Sequence, residues 1–211
     1  NIPADSLPWD ALTHLGLFAA NGSAPPQSYY INQYGAFTAR AHQSGVFAGI
    51  TVGGSSDGAL VTMVADPASW DNWITTYLGY LDAHKMDFIE FDFEGSYSTT
   101  NVTPFFARLY DSLQTRKSGN DPAIHPFIIL TVGVPRAASW ATATKAYVEM
   151  VNIMCYDYAQ EGTWGRLVYD NAPKSYQYWN ATGTNTDVYG SGANAPAPTM
   201  QQMAKRVVAA G

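Results

Sequence analysis

One short segment constrains this chain more than any other, because it places charge where a buried strand normally carries none. Residues 87–94 read Asp-Phe-Ile-Glu-Phe-Asp-Phe-Glu, so acidic and apolar residues alternate through much of the stretch. Side chains two residues apart share one face of a β-strand, which aligns Glu90, Asp92 and Glu94. The apolar residues point the other way, toward covering helices: Ile89, Phe91 and Phe93.

Three aligned carboxylates on an inner strand face indicate chemistry rather than packing. Acidic residues are depleted in strands, and buried carboxylates repel one another and resist desolvation. Such a cluster holds pKa values apart, so one carboxyl can stay protonated near neutral pH while its neighbour ionises. Glu94 lies nearest the carboxyl end of the strand, where parallel α/β folds carry their active sites. We therefore expect Glu94 to be the proton donor and Asp92 the group that tunes it.

Two structural alternatives for this segment remain: an exposed acidic edge strand and an unfilled metal site. A metal site would need histidines or further carboxylates at ligand spacing. The four histidines show no such grouping: His14, His42, His84 and His125. We expect no metal.

The order of apolar and amphipathic segments predicts parallel βαβ units. The predicted strands are residues 12–20, 46–54, 87–94, 126–133 and 151–156. The predicted helices are residues 28–43, 68–84, 103–117, 139–149 and 199–210. Except for the third, the strands are nearly continuous apolar runs, as expected when helices cover a parallel sheet. This pattern fits a barrel and a doubly wound sheet equally well.

Length and composition favour one globular domain over residues 1–211. A chain of this size can bury a sizeable core, and 46% hydrophobic residues argue against disorder. The net charge of −6, without a basic run, predicts no nucleic-acid partner. No apolar stretch approaches the roughly 20 residues that cross a bilayer, so no membrane partner is expected.

The single cysteine, Cys155, excludes an internal disulfide and leaves the compartment open. Three N-glycosylation sequons, at Asn21, Asn101 and Asn180, favour a secreted glycoprotein.

Residues 157–198 lack periodicity and are rich in aromatics, including Trp164. A loop this long is usually functional. Its aromatic rings could stack on sugars or pack against one another.

The acidic segment resembles the Asp-x-x-Asp-x-Asp-x-Glu signature of family 18 glycoside hydrolases, the chitinases and their relatives. Asp87, Asp92 and Glu94 match the motif, whereas Glu90 replaces the usual Asp and keeps a carboxylate. Three further segments agree with the family in order and spacing, so the resemblance covers nearly the whole chain. They are Thr-Val-Gly-Gly at 51–54, Leu-Thr-Val-Gly-Val-Pro at 130–135 and Met-Cys-Tyr-Asp at 154–157.

This resemblance implies an α/β fold, the (β/α)8 TIM barrel, and retaining, substrate-assisted hydrolysis of chitin without a cofactor. Glu94 would protonate the glycosidic oxygen while the sugar's own N-acetyl carbonyl attacks the anomeric carbon. Asp92, Glu90, Tyr156 and Asp157 would complete the catalytic group. The substrate-binding residues would include Gly53, Gly54, Met154 and Trp164.

The same resemblance predicts an incomplete barrel in this chain. Mapped onto the family, the sequence starts after the first barrel strand and stops before the seventh. The late strand that supplies a Trp floor for the sugar has no counterpart. We expect the full-length enzyme to be an active monomer that binds chitin or N-acetylglucosamine oligosaccharides, and this segment alone to be inactive.

Two other functions fit the same residues. An endo-β-N-acetylglucosaminidase acting on N-glycan cores shares the acidic strand, although Asp157 after Tyr156 favours a chitinase. A chitin-binding lectin usually arises in this family by loss of the acid, and here Glu94 is present.

Overall fold

The computed structural model of the chain describes residues 4–25, 28–55, 57–94 and 97–154, together with residues 178–179 and 185–186. Predicted features at positions 155–156 and the predicted helix at 199–210 lie outside this part. None of the described helices is long and apolar enough to span a bilayer.

Strands and helices alternate along the described chain. The strands are β1 (His14–Ala20), β2 (Phe47–Gly53), β3 (Phe88–Phe93), β4 (Phe127–Gly133), β5 (Met150–Met154), β6 (Tyr178–Trp179) and β7 (Asn185–Thr186). The helices are α1 (Ser28–Gln43), α2 (Gly58–Ala65), α3 (Trp70–His84), α4 (Thr99–Leu113) and α5 (Val134–Thr144). Short 3-10 turns cover Ala4–Ser6, Trp9–Ala11 and Pro67–Ser69.

Five strands form one sheet in the order in which they occur in the chain, β1-β2-β3-β4-β5. β1 pairs with β2, and β2 with β3, in parallel. Each predicted strand is present, and its observed bounds differ by at most two residues within the described chain. Sequential parallel pairing with a helix between strands is the βαβ arrangement that the sequence predicts. β1 and β5 are the outer strands of this sheet.

The chain divides into two compact units. The first comprises Asn1–Thr131 and Ala143–Asn152, and the second comprises Val132–Thr142 and Ile153–Gly211. In the second, β6 and β7 form an antiparallel pair in which Tyr178 lies opposite Thr186. The expectation of a single catalytic domain stays a prediction.

The core of the first unit lies between β3 and the helices α3 and α4. Phe91 is fully buried and its ring contacts the rings of Trp73, Phe105 and Phe106, with centroids 5.0–5.8 Å apart. Phe93 stacks on Phe106. Aromatic side chains bury large areas and favour such tilted arrangements, so the apolar face of β3 anchors both helices. The predicted division of this strand into an apolar and an acidic face is confirmed.

The helix predictions were less accurate at helix starts. α2 was not predicted, although Asp57 caps it by accepting a hydrogen bond from the Leu60 amide (3.0 Å). α4 begins at Thr99, because Ser98 accepts from the Thr100 amide and caps it, leaving Pro104 inside the helix. α5 begins directly after β4 and ends at Thr144 rather than 149. Capping groups and a proline in the first turn of α5 set these starts.

Asp87, which immediately precedes β3, is fully buried and accepts four hydrogen bonds. Its Oδ2 accepts from the Ala48 amide (2.7 Å) and contacts His42 Nε2 (2.9 Å). Its Oδ1 accepts from the Ser118 hydroxyl (2.5 Å) and the Asn120 amide (2.7 Å). Asp87 therefore ties the start of β3 to β2, α1 and the loop before β4.

Replacing Asp87 by Ala should lower the free energy of unfolding by about 3 kcal/mol or more, because buried donors lose their acceptor. Urea unfolding followed by circular dichroism measures this change. Asp111→Ala, at an exposed position of α4, is the control and should stay within about 0.5 kcal/mol of the wild type. Equal losses in the two variants would contradict a stabilising role for Asp87.

Candidate active site

The register of β2 against β3 determines which residues lie opposite the carboxylates. Thr51 lies opposite Glu90, and Gly53 lies opposite Asp92. Glu94 follows β3 directly, at its carboxyl end. The three acidic residues that the sequence predicts to align thus follow one another at two-residue intervals along β3 and at its carboxyl end.

Glu90 is held by donors from three other strands. The Thr51 hydroxyl of β2 donates to Oε2 (2.6 Å), and Oε1 accepts from the Thr131 hydroxyl of β4. The Asn152 side-chain amide of β5 also donates to Oε1 (3.0 Å). Both carboxylate oxygens are therefore satisfied by side-chain donors, an arrangement that suits a carboxylate acting only as an acceptor.

Asp92 is the most buried carboxyl of the row. Its side chain is buried, with 8% of the residue exposed, and its Oδ1 has no hydrogen-bond partner among the described residues. Burial raises the pKa of Asp92 to about 7, and the neighbouring charges of Glu94 and Glu90 and a hydrogen bond with Glu94 act in the same direction. A substantial fraction of Asp92 is therefore protonated at neutral pH, and it can donate a hydrogen bond.

Glu94 differs from its two neighbours because it is exposed to solvent. It is the carboxyl that a ligand arriving at the end of β3 can reach, and it interacts with Asp92 behind it. An accessible carboxyl backed by a protonated one can exchange a proton with a bound molecule. The geometry therefore fits the sequence expectation that Glu94 donates the proton, although that role stays a prediction.

Gly53 and Gly54 bring the end of β2 against the backbone of β3. Both have positive φ values, 114° and 103°, which favour glycine. A Cβ on Gly53 would lie 2.3 Å from the Asp92 carbonyl oxygen, and the Gly54 amide donates to that same oxygen (3.0 Å). These glycines allow close contact between strands beside Asp92. Their predicted contact with substrate stays a prediction.

Two aromatic residues near Asp92 were missed by the sequence reasoning. Phe18 of β1 is 66% exposed, and its ring would come within 3.1 Å of a Cβ on Gly54. Tyr97 stacks on Phe93 with centroids 4.1 Å apart. Burial raises the pKa of Tyr97, with further contributions from the charges of Asp57 and Asp92. The exposure of Phe18 could not be predicted, because β1 is a mostly apolar run whose sequence does not separate exposed from buried positions.

Asp57 fastens the loop after β1 to the start of α2. Its Oδ2 accepts from the Gly22 amide (2.6 Å) while its Oδ1 caps α2. Trp73 donates its indole N–H to the Gly22 carbonyl (2.9 Å), and the Tyr77 hydroxyl donates to the Asn21 carbonyl. The loop that follows Phe18 is thus fixed from three sides.

Of the remaining predicted site residues, one lies in the sheet and three lie outside the described residues. Met154 ends β5. Tyr156, Asp157 and Trp164 lie outside the described residues. Within the described ranges, no group of three or more His, Cys, Asp or Glu side chains could hold a metal ion.

Comparison with known proteins identifies the class to which this architecture belongs. The profile of the family described as glycosyl hydrolases family 18 matches residues 6–211. The chain therefore belongs to glycosyl hydrolase family 18. The predicted fold class, an α/β parallel sheet corresponding to part of the (β/α)8 barrel, is confirmed. No match was found among curated proteins.

Solved structures share the fold at low sequence identity. A class V chitinase from Nicotiana tobaccum has 14% identity and a TM-score of 0.71, with 100% of this chain and 60% of that chain covered. The chitinase-like agglutinin of Robinia pseudoacacia has 16% identity and a TM-score of 0.64, with coverages of 76% and 53%. A chitinase from Bacteroides thetaiotaomicron has 18% identity and a TM-score of 0.57, with coverages of 82% and 52%. This chain spans between half and two thirds of the length of each.

The raised pKa of Asp92 makes stability depend on pH in a defined direction. An unfolded aspartate has a pKa of about 4, whereas folding raises that of Asp92 to about 7. The contribution of this group to the free energy of unfolding is therefore complete below pH about 4 and is lost as the pH rises through about 7. Asp92→Asn carries no titrating group, so its stability relative to wild type should rise across this interval.

Chemical denaturation at a series of pH values tests this expectation. Asp10→Asn, at an exposed position, is the control and should show no comparable rise. A difference between Asp92→Asn and wild type that stays constant from pH 4 to 8 would contradict the proposed protonation of Asp92.

Proposed function

We propose that the native protein is a retaining chitinase, which cleaves β-1,4 linkages between N-acetylglucosamine units with Glu94 as its general acid. The observation that carries this proposal is the pairing of an exposed Glu94 with a buried Asp92 whose pKa is raised to about 7. Membership of glycosyl hydrolase family 18 supports the reaction class. A mutant of the tobacco class V chitinase, solved in complex with NAG4, supports an N-acetylglucosamine oligosaccharide as ligand.

In the proposed reaction, Glu94 transfers its proton to the glycosidic oxygen as that oxygen leaves the anomeric carbon. The acetamido carbonyl oxygen of the same sugar forms the new bond to that carbon and gives an oxazolinium ion. Water then opens this ion and returns a proton to Glu94, so the configuration is retained. No second protein carboxylate needs to form a covalent bond to the sugar.

Asp92 has the properties needed to assist this acetamido group. When ionised, it can accept the amide N–H and stabilise the positive charge that develops on the ring. When protonated, it can donate a hydrogen bond to Glu94, with which it already interacts. Its pKa near neutrality allows both forms to be populated during a cycle, which is the condition for efficient proton transfer. The predicted assistance from Tyr156 and Asp157 belongs to the same proposal.

The exposed ring of Phe18 supports a carbohydrate ligand. Aromatic faces provide large apolar contact at little entropic cost, and this ring lies next to Gly54, close to Asp92. We propose that it contributes a contact surface for a sugar bound against the row of carboxylates.

A carbohydrate-binding protein without turnover is the second candidate. The Robinia pseudoacacia agglutinin has a related fold, so the fold itself does not require hydrolysis. The exposed carboxyl of Glu94 favours the enzyme, because a lectin has no need of an acid backed by a buried carboxyl. An endo-β-N-acetylglucosaminidase uses the same chemistry and differs in its substrate.

Hydrolysis of a chitin oligosaccharide by the native protein and by Glu94→Gln tests the proposal. The amide cannot donate the proton, so the rate should fall by about 100-fold or more, and NMR should detect the β-anomer as the initial product of the wild type. Glu149→Gln is the control, since Glu149 is exposed and precedes the opposite, amino end of β5.

Binding of the oligosaccharide without cleavage by the wild type would favour the lectin. Cleavage of an N-glycan core with no action on chitin would favour the endo-β-N-acetylglucosaminidase. Equal turnover by wild type and Glu94→Gln would remove Glu94 from the role of acid.

A further inference from the structure

Gly16 of β1 lies directly against the carboxylate of Glu90, two strands away. A Cβ built on Gly16 would come within 2.7 Å of Glu90 Oε2 and 2.8 Å of Thr51 Oγ1. Both distances are shorter than carbon and oxygen atoms tolerate in packed proteins. Position 16 therefore has no room for a side chain while Glu90 keeps its present place.

Backbone conformation does not explain the glycine at this position. Gly53 and Gly54 have φ values in the left-handed region, whereas Gly16 is not among the positive-φ residues. Any L-residue could adopt an ordinary strand conformation at position 16. The requirement for glycine is therefore set by the neighbouring side chains alone.

The oxygen that a side chain at position 16 would meet cannot simply move aside. Oε2 of Glu90 accepts from Thr51, and Oε1 accepts from Thr131 and Asn152. Displacing this carboxylate would break three partly buried hydrogen bonds within the sheet, which is unfavourable because the donors would lose their acceptor. Thr51 itself is 5% exposed and has little freedom to retreat.

The length of Glu90 explains why the space at position 16 is needed. An aspartate would end one methylene earlier, so its carboxylate would lie about 1.5 Å nearer to β3. The longer glutamate instead reaches the volume that the missing side chain of Gly16 leaves. Glycine at position 16 and glutamate at position 90 therefore complement each other in size.

We propose that Gly16 is a positioning residue of the carboxylate row: because it has no side chain, the Glu90 carboxylate can occupy this volume beside Asp92, within reach of Thr51, Thr131 and Asn152. In this proposal Gly16 acts through its contact with Glu90. Its effect on turnover rests on the proposed function, whereas its effect on the titration of Asp92 does not.

A double-mutant cycle tests this pairing: wild type, Gly16→Ala, Glu90→Asp and the double variant. The matched control is Gly79→Ala, because Gly79 is exposed on α3 and a Cβ there meets nothing within 4 Å. The two readouts are kcat/KM on a chitin oligosaccharide and the titration midpoint of Asp92, followed by carbon-13 NMR of the side-chain carboxyl.

Gly16→Ala should lower kcat/KM by about tenfold or more, since small displacements of catalytic groups have large effects on rate. It should also shift the Asp92 midpoint, because the nearby charge of Glu90 moves. Shortening Glu90 relieves the clash, so the double variant should recover most of both properties relative to Gly16→Ala. Gly79→Ala should match the wild type in both.

Three outcomes overturn the proposal. In the first, Gly16→Ala matches Gly79→Ala in both readouts; in the second, the defect of the double variant is the sum of the two single defects. In the third, Gly16→Ala unfolds and adding Glu90→Asp does not restore folding. If Gly16→Ala unfolds and the double variant folds, the result supports the proposed pairing of Gly16 with Glu90. If the wild type does not cleave chitin, the proposed function fails and the Asp92 midpoint alone decides the role of Gly16.

Discussion

The structure around β3 depends on how three carboxylates can coexist along one strand. Like charges at this spacing repel one another, and burying a carboxyl raises the cost of ionising it. The chain meets this constraint by giving each carboxyl a different environment. Glu90 receives hydrogen bonds from three other strands, Asp92 is buried with one oxygen lacking a described partner, and Glu94 is exposed. One sequence pattern thus produces three chemically distinct groups.

The surrounding fold holds β3 in place at its start and on its apolar face. At its start, Asp87 fastens the strand to α1, β2 and the loop before β4. On its opposite face, Phe91 packs into the aromatic core with α3 and α4. Because β3 is held at its start and on its apolar face, its carboxyl end has little freedom to move. Acid catalysis requires such precise positioning. The residues of this motif that stabilise β3 are therefore spatially separate from the carboxyl that we propose to donate the proton.

Much of this arrangement follows from sequence because it depends on local periodicity. The two-residue repeat of β3 predicts which residues share a face, and apolar runs separated by helical segments predict parallel pairing. The environment of each carboxyl, by contrast, does not follow from local periodicity. The donors to Glu90, for example, come from Thr51, Thr131 and Asn152 on separate strands. No spacing in the sequence reveals that convergence, or the close contact between Gly16 and the Glu90 carboxylate. α2 was missed because its cap, Asp57, stands in a glycine-rich segment that resembles a turn.

Direct titration of Asp92 tests the central claim that this carboxyl remains partly protonated at neutral pH. Carbon-13 NMR of protein labelled at the aspartate side-chain carboxyls follows each of them through a pH series. A midpoint of about 7 for Asp92 is the result this account predicts. A midpoint near the ordinary value of about 4 would contradict it, because Asp92 would then be fully ionised beside Glu94 and could not carry a proton in the row.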